Sequence, residues 1–329
     1  MNKSCVSVVL VAIGAIVFPL FPARAGEEPA FPPAVQRSLA WLPSDTETVT
    51  AVQAFQIPSL KEREPGSADS KSESRGSDLL IKLFALTGLF ELDKGKYFED
   101  LAGNNVVLAL RGARNVEVVS SFGALRDEGC AIVVLEKDLA KGWLDKLKKG
   151  SKEVRTISGR DVLVFPSTAV MEPWFKPKPW QGTFLVALKP NTLLCATSDR
   201  YLEEVLNRVD APSPERALPD NLPEWKHLDP NAPAWLLRHV PENRNRRVIT
   251  GLTLTMADDQ FRVVYLPAAN SVEKVEQRSS EYWFIKDINL RANIGRGKDG
   301  SVVVSGRGAK EFIWHLIHLP GEEGNVNSD

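Results

Sequence analysis

The sequence predicts an α+β fold of largely antiparallel sheets, built from hairpin-plus-helix units arranged as two related halves. Strand-like runs come mostly as hairpins, and helical patterns follow pairs of strands rather than every strand. The order strand, turn, strand, helix of residues 182–209 is also repeated over residues 282–319. The alternative architecture is one continuous sheet shared by both halves.

The central unit spans residues 182–209. Its apolar, β-favouring runs 183–188 and 192–197 flank Pro190 and Asn191, which suit a tight turn and therefore predict a hairpin. Ser198 or Asp199 can accept a hydrogen bond from a free amide and begin a helix. One face of that helix is apolar and carries Tyr201, Leu202, Val205, Leu206 and Val209.

Residues 1–25 have the pattern of a secretory signal peptide. Lys3 precedes an apolar core at 6–20, and Ala23-Arg24-Ala25 is a small-x-small cleavage signal, so the mature chain is expected to begin at Gly26. The alternative is an uncleaved membrane anchor, but the apolar run is shorter than the roughly 18–20 residues that a span needs. The protein is therefore expected to be exported to the periplasm or the exterior and to be soluble after cleavage.

The first half is predicted to span residues 34–209. It contains strands at 47–55, 106–111, 116–120 and 130–136, helices at 77–92 and 138–148, and a hairpin of 153–157 with 161–165. Residues 59–76 hold one large apolar side chain and predict a mobile loop.

Residues 210–233 are proline-rich, lack a periodic run and predict a connection between the halves, which is expected to be exposed over residues 210–223. The second half, residues 234–320, contains strands at 234–238, 247–256, 260–266, 282–293 and 301–305 and a helix at 309–319. A polar tail at 321–329 follows.

Charge and motifs exclude several functions. The chain carries 41 basic and 42 acidic residues, which gives no electrostatic reason to expect nucleic acid or anionic lipid as a partner. Gly295, Gly297 and Gly300 match the dinucleotide fingerprint, but a strand rather than a helix follows, so they predict a hairpin turn. No cofactor is expected.

Three segments, LAWLPSDTETV, LLCATSDRYLEEVLNR and RALPDNLPEWKHLDPNAPAW, resemble those of a group of exported bacterial proteins with no known activity. The shared pieces are Ala196-Thr197, Tyr201-Leu202, Glu204-Val205-Leu206, Arg208, residues 216–226 and residues 235–239. The resemblance implies export and a shared fold, and it implies no functional residue.

Two cysteines remain in the predicted mature chain, Cys130 and Cys195, both in apolar runs. Export would allow a disulfide between them. The alternative is a pair of buried, inert thiols.

Metal and catalytic candidates are few. Glu311, His315 and His318 share one helical stripe at i, i+4 and i+7, which would suit one metal ion. The favoured interpretation is the solvated face of an amphipathic helix, so no metal site is predicted. Among the four histidines, His227 and His239 remain candidate bases.

Two stretches are candidate ligand-binding surfaces. The proline-interrupted loop 171–181 carries Trp174, Phe175, Lys176, Lys178 and Trp180. Its aromatic faces suit sugars or proline-rich peptides. The favoured alternative is that they pack inward over the hydrophobic core, because exposed aromatic clusters are costly in monomers. Arg244, Arg246 and Arg247, with Arg238 nearby, form a positive patch that could hold a carboxylate or phosphate.

These observations favour an exported cell-envelope binding or scaffold protein, whose partner is an envelope polymer, a peptide or a protein. The alternative is a hydrolase whose catalytic residues meet only in the folded chain.

Overall fold

The computed structural model of the chain describes residues 31–57, 100–118, 125–165, 181–213, 215–241, 248–257, 260–285 and 292–307. These residues form one twelve-stranded sheet in which every pair of neighbouring strands is antiparallel. The strands are β1 Thr48–Gln56, β2 Asn105–Val118, β3 Leu125–Leu135, β4 Glu153–Ile157, β5 Arg160–Phe165, β6 Gln181–Lys189, β7 Thr192–Ser198, β8 Ala234–His239, β9 Ile249–Ala257, β10 Gln260–Pro267, β11 Ala292–Arg296 and β12 Val302–Arg307.

The order across the sheet is β11-β12-β10-β9-β8-β1-β2-β3-β7-β6-β5-β4. Its centre is the pairing of β1 with β8, which are far apart in the chain, so strands from before and after the proline-rich connection share one sheet. The alternative of a continuous sheet is therefore the arrangement that the described residues adopt.

Helices cover both faces of the sheet. They are α1 Pro33–Trp41, α2 Trp143–Gly150, α3 Asp199–Asp210, α4 Val272–Ile285 and a 3₁₀ helix at Pro223–His227. Face A, which carries Leu110, Ile132 and Trp235, packs against α1, α3 and the 3₁₀ helix. The opposite face B forms two separate apolar clusters, one that includes Val275 of α4 and one that includes Trp143 and Leu147 of α2.

The alternation of β-strand side chains explains this layering. Directly paired residues point to the same face of a sheet and successive residues to opposite faces. In β3, for example, Ile132 faces α1 and α3 while Val133 lies in the cluster that α2 covers. Among the described residues, no helix has the length and apolar character to cross a bilayer.

The hairpin and helix of residues 182–209 form as the sequence predicts. Strands β6 and β7 pair across Pro190 and Asn191, and the Ser198 hydroxyl accepts a hydrogen bond from the Tyr201 amide at 3.4 Å to cap α3. The turn is held to the end of β3, because the Asn191 side chain donates to the Leu135 carbonyl at 3.2 Å.

Several predicted elements differ from the structure. The predicted strand at 282–293 is wrong, because Tyr282 belongs to α4 and the strand begins at Ala292. The two strands predicted at 106–111 and 116–120 are one strand, β2. Helix α2 begins at Trp143, later than the predicted residue 138. The predicted helices at 77–92 and 309–319 and the loop at 59–76 lie outside the described residues.

Most of the described residues of 210–223 are exposed or half-buried, as predicted, but parts of the connection at 210–233 are buried. Ala217, Leu218 and Trp225 are buried against face A, and the Glu224 side chain is fully enclosed. The Trp225 indole donates to the Pro219 carbonyl at 3.0 Å, which folds the segment on itself. This part of the connection is therefore an ordered layer over the sheet.

Candidate functional site

Most of the sequence-predicted site residues lie outside the described residues. These are Trp174, Phe175, Lys176, Lys178, Trp180, Arg244, Arg246, Arg247, Glu311, His315 and His318. Within the described part of the chain, no group of three or more His, Cys, Asp or Glu side chains is arranged to hold a metal ion. The two candidate histidines, His227 and His239, are described, and both contact carboxylates.

Cys130 and Cys195 are free and buried on adjacent strands. Cys130 pairs with Ala196 and Cys195 pairs with Ala131, so the two side chains are offset by one residue and point to opposite faces of the sheet. Cys130 lies in the face A cluster and Cys195 in the α2 cluster of face B. Both thiols are free and buried in this structure.

One polar cluster of the described residues surrounds Arg114 on β2. Its guanidinium lies 2.9 Å from Glu128 Oε2 and 2.7 Å from Glu204 Oε1. It also lies 2.8 Å from Asp45 Oδ2. The Ser198 hydroxyl donates to the other oxygen of Glu128 at 3.0 Å, so the buried Glu128 carboxylate has a partner on each oxygen.

This Arg114 cluster links several elements from the first part of the chain. It joins β2, β3, α3 and the loop after α1, and the Arg114 guanidinium also lies 5.1 Å from the centre of the Tyr201 ring. Burial alone would lower the pKa of Arg114, but the hydrogen bonds to Glu204 and Glu128 outweigh it and the pKa is raised. The charged groups of the cluster contact one another, which is typical of a cluster that stabilises the fold.

A second polar cluster lies on face A beneath the 3₁₀ helix. We call it the connection site and define it as Glu224, His227, His239, Arg262 and Asp299. In a 3₁₀ helix the side chains at i and i+3 are eclipsed, so Glu224 and His227 share one side of the Pro223–His227 turn. That side meets the β8–β9 strands and the β11–β12 turn.

At one end of the connection site, the Glu224 carboxylate lies 2.8 Å from Nδ1 of His239 on β8. Glu224 is fully buried, and its second oxygen, Oε2, has no hydrogen-bond partner among the described residues. His239 is paired across the sheet with Gly251, so the absent side chain at 251 leaves the space that the carboxylate fills.

At the other end, Nε2 of His227 lies 3.1 Å from Asp299 Oδ2. The other oxygen of Asp299 accepts hydrogen bonds from the Ser301 amide at 3.1 Å and the Ser301 hydroxyl at 2.7 Å. Burial is the largest influence on His227 and lowers the pKa of the imidazole, while Asp299 opposes that shift. The hydrogen bonds to Ser301 lower the pKa of Asp299 itself.

Arg262 on β10 completes the site. It points to face A, because it is paired with Thr255 on β9 and with Ser305 on β12 in one row across the sheet. Its Nη1 donates to the His227 carbonyl at 3.1 Å. Burial lowers the pKa of Arg262, and Asp299 opposes this from beyond ion-pair distance.

The glycine-rich turn sets the position of Asp299. Gly297 accepts the amide of Gly300 at 3.1 Å, and Gly300 has a φ of +83°, which a residue with a side chain rarely adopts. The motif at 295–300 thus forms the predicted turn and leads into strand β12. The turn places the Asp299 carboxylate next to the His227 imidazole.

An aromatic cluster borders the site. Trp225 meets Phe31 edge-on at 4.9 Å between ring centres and Trp235 at 6.1 Å. The Arg216 guanidinium lies 4.9 Å from the Phe31 ring. Trp225 and Trp235 are both buried, so this cluster anchors the connection to the sheet.

Sequence reasoning missed Glu224, Arg262 and Asp299. The spacing of three between Glu224 and His227, next to prolines that favour a short turn, is a local signal that could have been used. Arg262 and Asp299 are joined to them only by the register of β8, β9, β10 and β12, which is not visible in any one segment.

Comparison of the chain with protein-family models, with curated proteins and with solved structures finds no match in any of the three.

Proposed function

We propose that this chain is an exported binding protein of the cell envelope and that the connection site contacts its ligand. The signal-peptide pattern of residues 1–25 supports export. Support for binding comes from the polar cluster on face A in which Arg262, His227 and Asp299 are brought together from three separate segments.

The observation that carries the proposal is the environment of Arg262. Arg114, Arg155, Arg160, Arg216 and Arg296 each lie within ion-pair distance of a carboxylate. Among the described residues, Arg262 has only the His227 carbonyl as a hydrogen-bond partner, although it is half-buried. A half-buried guanidinium that keeps donors for another molecule is typical of a binding site.

The hydrogen-bond order around Asp299 suits binding better than acyl transfer. In a nucleophile triad the histidine lies between the hydroxyl and the carboxylate. Here Asp299 lies between Ser301 and His227, so the imidazole does not face the hydroxyl that it would have to deprotonate. The three groups are instead arranged to hold Asp299 and the turn in place.

Two further stretches belong to the proposed ligand surface. Arg244, Arg246 and Arg247 lie between β8 and β9, and β8 ends at His239 of the connection site. The aromatic loop with Trp174 and Trp180 would supply apolar faces for sugar rings or prolines. Both assignments rest on the sequence.

A hydrolase is the second candidate function, and the Glu224–His239 contact favours it. A buried carboxylate bonded to Nδ1 fixes the tautomer and orientation of an imidazole, as in catalytic dyads. His239 would then act as the general base. This alternative predicts that His239→Ala abolishes a measurable ester or amide hydrolysis, whereas the binding proposal predicts no such activity to lose.

We also propose that the chain consists of two related halves, residues 34–209 and 234–320. We call the central pair of strands β1 and β8 the β1–β8 seam. Counted outward from this seam, the order β1-β2-β3-β7-β6 is matched by β8-β9-β10-β12-β11. A helix follows the third strand in each series, α2 after β3 and α4 after β10. Strands β4 and β5 would be an addition to the first half.

The test of the binding proposal is retention of the purified exported protein on envelope material. Isolated cell-wall polymer and envelope polysaccharide are each sedimented with the wild type and with Trp174→Ala/Trp180→Ala. We expect specific retention of the wild type that free polymer competes away, and weaker retention of the variant. A wild-type protein that stays in the supernatant with every envelope fraction would contradict the proposal.

A further inference from the structure

We propose that Arg262 binds a carboxylate group of the ligand, so that the connection site is specific for acidic sugars or for peptides with a free carboxyl end. This inference rests on the proposed binding function and adds the chemical class of the ligand. Its basis is the geometry around Arg262 together with the state of the neighbouring acidic side chains.

Arg262 retains hydrogen-bond donors for a ligand. A guanidinium carries five N–H donors in a planar fork, and the described contact to the His227 carbonyl uses one nitrogen. The nitrogens of Arg262 are not among the buried side-chain atoms that lack a partner. The donors of Arg262 that make no described hydrogen bond are therefore not fully buried, and we infer that a second molecule can reach them.

The nearest carboxylates of the site already have partners other than Arg262. Asp299 accepts from His227 and twice from Ser301, and it lies beyond ion-pair distance of Arg262. Glu224 is buried against His239 at the other end of the 3₁₀ helix. The positive charge of Arg262 is thus left without a carboxylate in direct contact among the described residues.

The charge of the site favours a carboxylate over a phosphate as the ligand group. Asp299 lies close enough to influence Arg262, and it would repel a doubly charged phosphate more strongly than a carboxylate with a single charge. A planar carboxylate also matches the guanidinium fork with two parallel hydrogen bonds. Two polar residues, Thr255 and Ser305, flank Arg262 in the same row of the sheet.

The experiment measures binding of small acidic probes to the full exported protein by titration calorimetry. The probes are galacturonate, for an acidic sugar, and N-acetyl-alanyl-alanine, for a peptide carboxyl end; galactose and the dipeptide amide are their uncharged counterparts, and inorganic phosphate is the competing anion. We expect one acidic probe to bind more tightly than its uncharged counterpart and than phosphate. The probe that binds identifies the source of the carboxylate.

The variants assign that binding to Arg262. Arg262→Met is expected to weaken binding of the acidic probe by about tenfold or more, and Arg262→Lys, which keeps the charge but loses the fork, by less. Arg296→Met is the matched control, because Arg296 is an exposed arginine on β11 that is paired with Glu273 and Glu276. The affinity of the Arg296→Met variant for the acidic probe should equal that of the wild type.

Two outcomes would overturn the inference: acidic probes that bind no better than their uncharged counterparts, or equal binding by the wild type and both Arg262 variants. If Arg262→Met does not fold, the comparison of Arg262→Lys with the wild type decides. Retention on envelope material is measured in parallel. Full retention of Arg262→Met would refute the carboxylate assignment while leaving the binding function intact, whereas failure of the wild type to be retained would refute the function itself.

Discussion

Gly251 and Glu224 share a volume that has no room for one more carbon atom. A Cβ on Gly251 would overlap Oε1 of Glu224 and would lie 2.6 Å from its Cγ. The buried carboxylate therefore reaches His239 only because the strand residue opposite His239 has no side chain. A glycine in β9 is thus part of the geometry of the connection site.

Replacing Gly251 with alanine should destabilise the protein. The added methyl group forces Glu224 away from His239 and leaves a buried carboxylate without its partner, a change that costs on the order of 3 kcal/mol. Urea denaturation measures the loss. Gly295→Ala on β11 is the control, since a Cβ there meets nothing within 4 Å. Equal stability of the two variants would refute the packing described here.

Removing the Arg114 side chain should be among the most damaging single changes in the first part of the fold. Arg114→Leu leaves the buried Glu128 carboxylate without its guanidinium, and breaking a buried pair in this way costs about 3–5 kcal/mol. Lys146→Met is the control, because the Lys146–Asp100 pair is exposed and such pairs contribute below about 1 kcal/mol.

The double variant Arg114→Leu/Glu128→Gln tests the cause of that loss. If the cost comes from an unpaired buried charge, neutralising Glu128 should recover part of the stability lost by Arg114→Leu alone. Additive losses in the double variant would mean that Arg114 acts through its packing on Tyr201 instead.

The two thiols of the predicted mature chain should be unreactive in the native protein. Burial raises the pKa of Cys130 to about 12, so the thiolate needed for reaction is scarce at neutral pH. Cys195 is 2% exposed. An aromatic disulfide reagent at pH 8 should detect no thiol before unfolding and two after unfolding without reductant. Detection of none after unfolding would instead reveal a disulfide.

Stability should fall on acidification partly because of His227. Burial lowers the pKa of its imidazole from the usual 6.5, with Arg262 and Lys226 acting in the same direction and Asp299 and Glu224 opposing. The unfolded chain therefore binds the proton more tightly, so the stability from neutral His227 is present above about pH 6.5 and is lost as the pH falls toward the folded-state pKa.

The measurement compares the midpoint of thermal unfolding at pH 7.5 and pH 5.5. We expect His227→Gln to lose less on acidification than the wild type, because the amide keeps a donor for Asp299 but does not titrate. A wild type that gains stability relative to the variant at pH 5.5 would show that the ion pair with Asp299 outweighs burial.

The fold could be predicted where local patterns are strong. The β6–β7 turn has proline and asparagine at its corner, and Ser198 caps α3, so both elements follow from short-range chemistry. Tyr282 was misassigned because it begins an aromatic run that resembles a strand, whereas the helix starts upstream at Val272 among charged residues. Over the part of the helix whose burial the structure describes, residues 272–280, the buried side chains are Val275 and Ser279.

The connection site was largely beyond prediction for a different reason. Its members lie on the 3₁₀ helix, β8, β10 and the β11–β12 turn. They meet because β8, β9, β10 and β12 lie side by side in the sheet, an order that no local motif reveals. His227 and His239 could be named as candidates, but their acidic partners could not. Residue type indicates capability, while strand register decides which residues become neighbours.

The β1–β8 seam has a consequence for how the chain reaches its native state. Gln53 on β1 donates from its side chain to the carbonyls of Pro230 and Ala232, so the seam also holds the end of the connection. A chain that emerges with its N-terminus first presents β1 long before residues 234–239 exist to pair with it, and an unpaired strand edge can recruit another chain. Folding of the centre is therefore delayed until most of the polypeptide has emerged, and truncation after residue 209 should yield a species that self-associates through β1.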